Sequence, residues 1–421
     1  MGYRHDRPGS FDEPGEPDPH RLLNGTRVSS PAGYQPGEPV PGEVAVYFAD
    51  DPRKLYQLRQ WLPVLERLDV RYPVLIVTRN PHSYAELVAE TSLRCVLAPT
   101  FADLMGLYEN GDHKVAIYVN NSVHNFHSLV ARHMSHIHVN HGESDKICMV
   151  SNQVKAYDRV FVAGEAAVRR HRAALIEFDE RSLVRVGRPQ LDLRPEPVLP
   201  LTARRTILYA PTWEGENASN NYTSVDVYGP AIVAAALAVP NVRVVYKPHP
   251  RVANSPTPSI TEAHERIIHL LATTPGEHRH ETSSDILAVF PGSDLMITDV
   301  SSVGLDFLYL RGDRPLFIAD RYDDLVKLRA EAPISRGADV IDPATIGSLT
   351  EMLTARLAVD THRTLREGIR RLYFGDLVPG ESTDRFLLAI GEAITRRNRL
   401  LDARVQIAPT DLSIAAEGHL A

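Results

Sequence analysis

From Glu43 onward, short runs of β-branched and aromatic residues alternate with longer stretches of helical periodicity. "EVAVYFA" (43–49) predicts a strand, and "PRKLYQLRQWLPVLERL" (52–68) predicts one amphipathic helix after it. "PVLIVTR" (73–79) and "SYAELVAETS" (83–92) repeat the pair. "RCVLA", "KVAIYVN", "HIHVNH", "DRVFVA" and "LVRVG" carry the series to residue 187, with helices between several of them. These strands are apolar almost throughout rather than alternating. That is the signature of a parallel sheet covered on both faces by helices.

The rhythm breaks at "GRPQLDLRPEPVLPLTARR" (187–205), which holds four prolines and no period and reads as a linker. It then restarts with "TILYAP", the helix "GPAIVAAALAV", the strand "VRVVYKPHP", a helix near 260–272, the strand "DLMITD", the helix "SVGLDFLYL" and the strand "RPLFIA". Helices near 343–358, 362–373 and 381–400 close the series. The expected fold class is α/β, with two Rossmann-like doubly wound domains facing a central cleft. A length of 421 residues suits two cores.

Residues 1–42, rich in Pro, Gly, Asp and Glu, predict a disordered N-terminal segment without a secretory signal, and 401–421 predicts a flexible tail. The boundaries between them are 43–197 and 198–400. No run reaches the length of a membrane span. A formal net charge of −7 argues against a nucleic-acid partner. Cys95 and Cys148 sit among apolar neighbours without metal spacing and read as buried free thiols.

Open parallel sheets bind ligands beyond the carboxyl ends of their strands, and the distinctive strings lie there. In "HVNHGESDK" (138–146), His141 is a candidate general base and Gly142 allows close approach of a ligand; the alternative is a capping histidine. His124, His127, His133, His136 and His138 upstream have no standard zinc spacing, so no metal site is read there. In "ILYAPTWEGEN" (207–217), Pro211, Thr212 and Trp213 are candidates to wall the cleft or stack on a base.

"YKPHPR" (246–251) holds His249 between two prolines, with Lys247 and Arg251 on either side. Fixed backbone and flanking cations suit a phosphate contact, or protonation of a leaving group. In "MITDVSSVGLDFLYL" (296–310), Asp299 ends a strand, and Ser301 and Ser302 open a helix whose first N–H groups would favour an anion. "VPGESTDRF" (378–386) offers Ser382 and Thr383 at a second such helix start, which plain capping explains equally well.

Together "HG" (141–142), "GRPQLD" (187–192), "YAPTW" (209–213), "KPHPR" (247–251), "TDVSSVGLDF" (298–307) and "GESTDR" (380–385) follow the same order as in the CDP-glycerol glycerophosphotransferases of the teichoic acid polymerase type, which the chain resembles. The resemblance implies a GT-B fold, with 43–197 the acceptor domain and 198–400 the nucleotide-donor domain. It implies transfer of glycerol phosphate, or a related polyol phosphate, from a CDP-activated donor to a hydroxyl of a glycan, polyol-phosphate polymer or lipid-linked acceptor, with release of CMP, in cell-wall or capsule polymer synthesis.

By the same resemblance His141 is the base on the acceptor, His249 contacts the donor phosphates, and Asp299, Ser301 and Ser302 lie at the diphosphate site with Lys247 and Arg251. Glu143 stands where the family usually has Thr, and Glu214 where it usually has a basic residue. The resemblance requires no cofactor beyond the CDP-polyol substrate, is compatible with Mg2+, and implies a cytoplasmic enzyme with at most weak peripheral contact at the inner face of the membrane. Two rivals remain: a GT-B glycosyltransferase using a nucleotide sugar, and a non-catalytic nucleotide- or glycan-binding relative.

Overall fold

The structure is a computed structural model that describes residues 34–406 apart from 36, 194 and 379. The expected disorder of 1–33 and looseness of 407–421 fall outside the described residues. The first sheet contains β1 (Val44–Phe48), β2 (Val74–Thr78), β3 (Arg94–Leu97), β4 (Val115–Tyr118), β5 (Ser135–His138), β6 (Arg159–Val162) and β7 (Leu183–Arg185). Its order is β3-β2-β1-β4-β5-β6-β7, and every pairing is parallel.

The second sheet contains β8 (Arg205–Ala210), β9 (Val242–Tyr246), β10 (Arg279–His280), β11 (Leu295–Thr298), β12 (Leu316–Ala319) and β13 (Asp339–Ile341), in the order β10-β9-β8-β11-β12-β13, again all parallel. The short strands β10 and β13 escape the sequence pattern. At two and three residues they are too brief to show a period.

Apolar side chains leave both faces of each sheet. In β1, Val44, Val46 and Phe48 enter one core while Ala45 and Tyr47 enter another. In β8, Ile207 and Tyr209 divide from Leu208 and Ala210 in the same way. The strands therefore read as continuous apolar runs because each residue has a core to fill.

Four local expectations are corrected. The stretch 52–68 is not one helix: it breaks into Pro52–Lys54, Tyr56–Arg59 and Leu62–Asp69. Pro63 has no N–H to continue a preceding helix and sits in the first turn of the next, where that donor is not needed. The linker at 187–205 is not loose throughout. Arg188, Pro189, Gln190 and Leu191 are buried, and Pro189–Asp192 forms a short 3-10 turn. Tyr34, inside the segment expected to be disordered, is buried and donates its N–H to Leu97. Cys95 is half-buried and Cys148 exposed, although both are free as expected.

The last helix, Glu381–Gln406, continues into the expected tail and leaves the second unit to which its position in sequence assigns it. Its Phe386, Ala389, Ile390, Ala393 and Ile394 fill the core of the first sheet, with the Phe386 ring 5.2 Å from Trp61. Asp192, in the connecting segment, holds the start of this helix by accepting from the N–H groups of Gly380 at 2.7 Å and Thr383 at 2.6 Å. Gly187 has φ 77°, and a side chain there would collide with Ser382 and Leu377. The connection and the last helix are thus clasped together.

Replacing Asp192 with Ala should cost about 1–2 kcal/mol of unfolding free energy, the usual range for an N-cap, read from urea midpoints at unchanged m-value. A shift below about 0.5 kcal/mol would mean that the cap does not hold the helix.

Candidate active site

Both sheets direct their strand ends at one seam. The order of the first sheet reverses between β1 and β4, and that of the second between β8 and β11, so each has its crevice where side chains gather. Beyond β8 and β11, the Thr212 N–H donates to Asp299 Oδ2 at 2.8 Å. Lys146, on the loop beyond β5, crosses the seam to donate to Thr212 Oγ1 at 2.8 Å. The Thr212 hydroxyl is therefore an acceptor for Lys146.

His141 is presented by unusual backbone. Asn140 adopts the left-handed region at φ 54°, which asparagine tolerates better than most residues, and its Oδ1 accepts the His141 N–H at 2.8 Å. Trp61 Nε1 donates to the Asn140 carbonyl at 2.7 Å. The His141 Nδ1 is buried without a hydrogen-bond partner.

His249 lies on the opposite wall. Its N–H donates to the Pro211 carbonyl at 3.0 Å. Its Nδ1 accepts the Arg251 N–H at 3.2 Å, so in the neutral ring the proton is on Nε2. Tyr56 makes T-shaped contacts with both histidines, with ring centroids 5.9 Å from His141 and 6.2 Å from His249. Trp213 stacks on His249 at 5.9 Å and carries the Arg251 guanidinium over its ring at 4.2 Å. Pro211 and the buried Lys247 complete that side.

The electrostatics follow from burial and crowded cations. Burial pushes His141 down to about 4, and the Arg188 and Lys146 charges add to the drop. Burial takes His249 to about 3, reinforced by Lys146, Arg251, His141 and Lys247. Both rings are neutral at physiological pH. Burial raises Asp299 to about 7, against hydrogen bonds from Ser224 and Thr212 and the Lys146 charge. Burial also lowers Lys146 and Lys247.

Ser301 caps Ser302–Leu310 without a side-chain cap bond; its hydroxyl lies 3.3 Å from Thr298 Oγ1 instead. The first N–H groups of that helix therefore have no side-chain acceptor. The second expected anion site is corrected: Ser382 and Thr383 are buried, Ser382 Oγ accepts the Arg188 N–H at 3.2 Å, and Asp192 already occupies the helix start. Glu143 is buried, lines the same cavity as Gly142 and Arg188, and pairs with Arg170 at 2.6 Å; Arg170 also holds Asp145 at 2.8 Å. Glu214 accepts from the Ser255 hydroxyl.

Sequence reasoning passed over Tyr56, Lys146 and Arg188. Lys146 and Arg188 lie inside quoted strings, "HGESDK" and "GRPQLD", but nothing in a linear pattern tells a cleft cation from a surface one. Among the described residues no three His, Cys, Asp or Glu side chains gather to hold a metal ion, and no helix is long and apolar enough to cross a membrane.

Two all-parallel α/β units with facing strand ends, and a cation-lined seam between them, make up the GT-B fold. The chain belongs to the CDP-glycerol:poly(glycerophosphate) glycerophosphotransferase family, whose model matches residues 117–327. Among solved structures it is similar to the wall teichoic acid polymerase TagF, with 15% identity, 84% of this chain and 90% of that one covered, and a TM-score of 0.53. It is similar to a variant of that polymerase soaked with CDPG, at 16% identity, 84% and 89% coverage and a TM-score of 0.52. A glycosyltransferase from Rickettsia africae is also similar, at 12% identity, 83% and 98% coverage and a TM-score of 0.51. At these identities the likeness concerns the fold. No curated protein matches the chain.

Long-range 1H–15N spectra of the histidine rings at pH 5.5 should show His141 and His249 neutral, with His249 protonated on Nε2. Exposed histidines are mostly charged at that pH. An imidazolium at either position would contradict this account of the site.

Proposed function

We propose that the chain transfers a polyol phosphate, glycerol phosphate foremost, from a CDP-activated donor to an acceptor hydroxyl in the synthesis of a cell-wall polymer, releasing CMP. Family membership supports the reaction class. The observation that carries the assignment of roles is the pair of neutral histidines that both contact Tyr56, among Lys146, Lys247 and Arg251.

In this reading the acceptor oxygen attacks the phosphorus that bears the polyol, and His141 Nε2 takes the hydroxyl proton. The bond from that phosphorus to the oxygen bridging to CMP breaks. The bridging oxygen leaves with the electron pair, as part of the CMP phosphate. His249 donates Nε2–H to that phosphate, and Lys247 and Arg251 lie beside it to take the departing charge. Such chemistry depends mostly on positioning and charge stabilisation.

The low proton affinity of His141 without ligand comes from burial and nearby cations. A donor diphosphate among those cations offsets their field and raises that affinity, so the base strengthens once donor is seated. Glu143 is paired with Arg170, a guanidinium it shares with Asp145.

The direct test is product analysis with CDP-glycerol and CDP-ribitol over glycan and polyol-phosphate acceptors. CMP should accumulate; a nucleoside diphosphate released from a sugar nucleotide would instead make the chain a glycosyltransferase. His141→Ala should lower kcat by about 10²–10⁴-fold while donor affinity stays within about threefold. His249→Ala should weaken donor binding as well as rate.

The acid limb of kcat/KM reports the free enzyme. A base depressed to about 4 is lost only as pH falls through that value, so the limb should lie near 4 rather than near 6.5. A limb at 6.5 would remove His141 as the base.

A further inference from the structure

Arg188 is only 6% exposed, yet its Nε and Nη1 have no hydrogen-bond partner. A buried guanidinium with a purely structural task satisfies its donors, since an unmade bond to a charged group costs more than one to a neutral group. Arg366, at 2% exposed, shows the contrast: Nε donates to Gly312 O, Nη1 to Gly337 O, and Nη2 to Asp360. Arg243 likewise bonds to Thr206 Oγ1 and the Pro200 carbonyl. Arg188 is tethered on one side only, through Nη2 to Asp306 Oδ1 at 3.1 Å and through its backbone N–H to Ser382.

The unpartnered side faces a defined spot. A Cβ placed on Gly142 would lie 3.7 Å from Arg188 Nη1, 3.4 Å from Ser302 Cβ and 3.7 Å from Ser302 Oγ. Gly142 leaves that spot empty of side chain. Three elements thus converge there: the loop carrying His141, the connecting segment carrying Arg188, and the start of the helix Ser302–Leu310, which lacks a side-chain cap. A helix start joined by a buried, half-satisfied guanidinium is an anion seat.

We infer that Arg188 binds the second phosphate of the donor, the one that is transferred, and holds it beside His141. The inference rests on the reading of a nucleoside-diphosphate donor. The phosphate is assigned by position: the spot is one residue from His141, whereas Lys247, Arg251 and His249 occupy the opposite wall, where the nucleoside monophosphate departs. Asp306 lies one helical turn beyond Ser302 and aims the guanidinium, so the seat forms only when both units are in place.

The test compares affinities of wild type, Arg188→Gln and Arg188→Lys for CDP, CMP, UDP and UMP by calorimetry, with circular dichroism and thermal melting to establish folding. For the base that binds, Arg188→Gln should weaken the diphosphate about 30-fold or more, the loss expected when a buried charged partner is removed. The monophosphate should weaken by less than about threefold, and Arg188→Lys should recover part of the loss. Should Arg188→Gln not fold, the diphosphate-to-monophosphate ratio of Arg188→Lys decides the point. Equal losses for both nucleotides, or none, in a folded variant would overturn the inference. A wild-type preference for UDP over CDP would overturn the donor reading alone and leave the role of Arg188 to be read from the UDP/UMP pair.

Discussion

The buried ion pair between Arg188 and Asp306 is the contact on which the seam depends. It joins the segment linking the two sheets to the helix that follows β11. Charges removed from water need close partners, and removing one partner of such a pair commonly costs about 3–5 kcal/mol. Burial here raises Asp306 to about 6 against the pull of Arg188, so this carboxylate is itself only partly reconciled to its site. The pair is retained in an expensive environment, where it holds a guanidinium at the mouth of an uncapped helix. Around it Lys146–Thr212 and Asp145–Tyr373 add further ties between the units, and Asp192 holds the last helix to the connecting segment.

The same desolvation governs the histidines. Surrounding an imidazole with protein and cations makes it neutral, which turns His249 into a fixed Nε2–H donor and leaves the reachable nitrogen of His141 able to accept a proton. These are opposite roles for one residue type. In His249 the role is set by the hydrogen bond that the Arg251 N–H makes to Nδ1. Tyr56, from the broken helical region after β1, keeps both rings edge-on and apart.

The alternation of apolar runs and helices located eleven of the thirteen strands, because fully buried parallel strands are continuous in composition. It missed β10 and β13, which are too short to carry a pattern. It also fused three short helices at 52–68 across a proline, since amphipathic spacing continues through a break that backbone chemistry enforces. The strings at 141–142, 247–251 and 298–302 stand at strand ends around the cleft, but their partners were not legible. Glu143 looked like an unpaired acid beside phosphate, and only the fold shows its pairing with Arg170. For Ser382 and Thr383 the sequence left an anion site and plain capping equally open, and the distant Asp192 fills that helix start.

Sequence alone determined the α/β class, the two-unit plan and the ordered motifs, because periodicity and strand-end chemistry are local properties. Tertiary structure decided which cations count. Lys146 and Arg188 are separated by more than forty residues along the chain and by many more from Ser302. Only the packing of the last helix into the first core, and of the connecting segment between the two sheets, brings their charges to one spot out of water. Burial, not residue type, then determines whether a histidine is neutral, whether an arginine has a free edge, and whether a helix start is already filled.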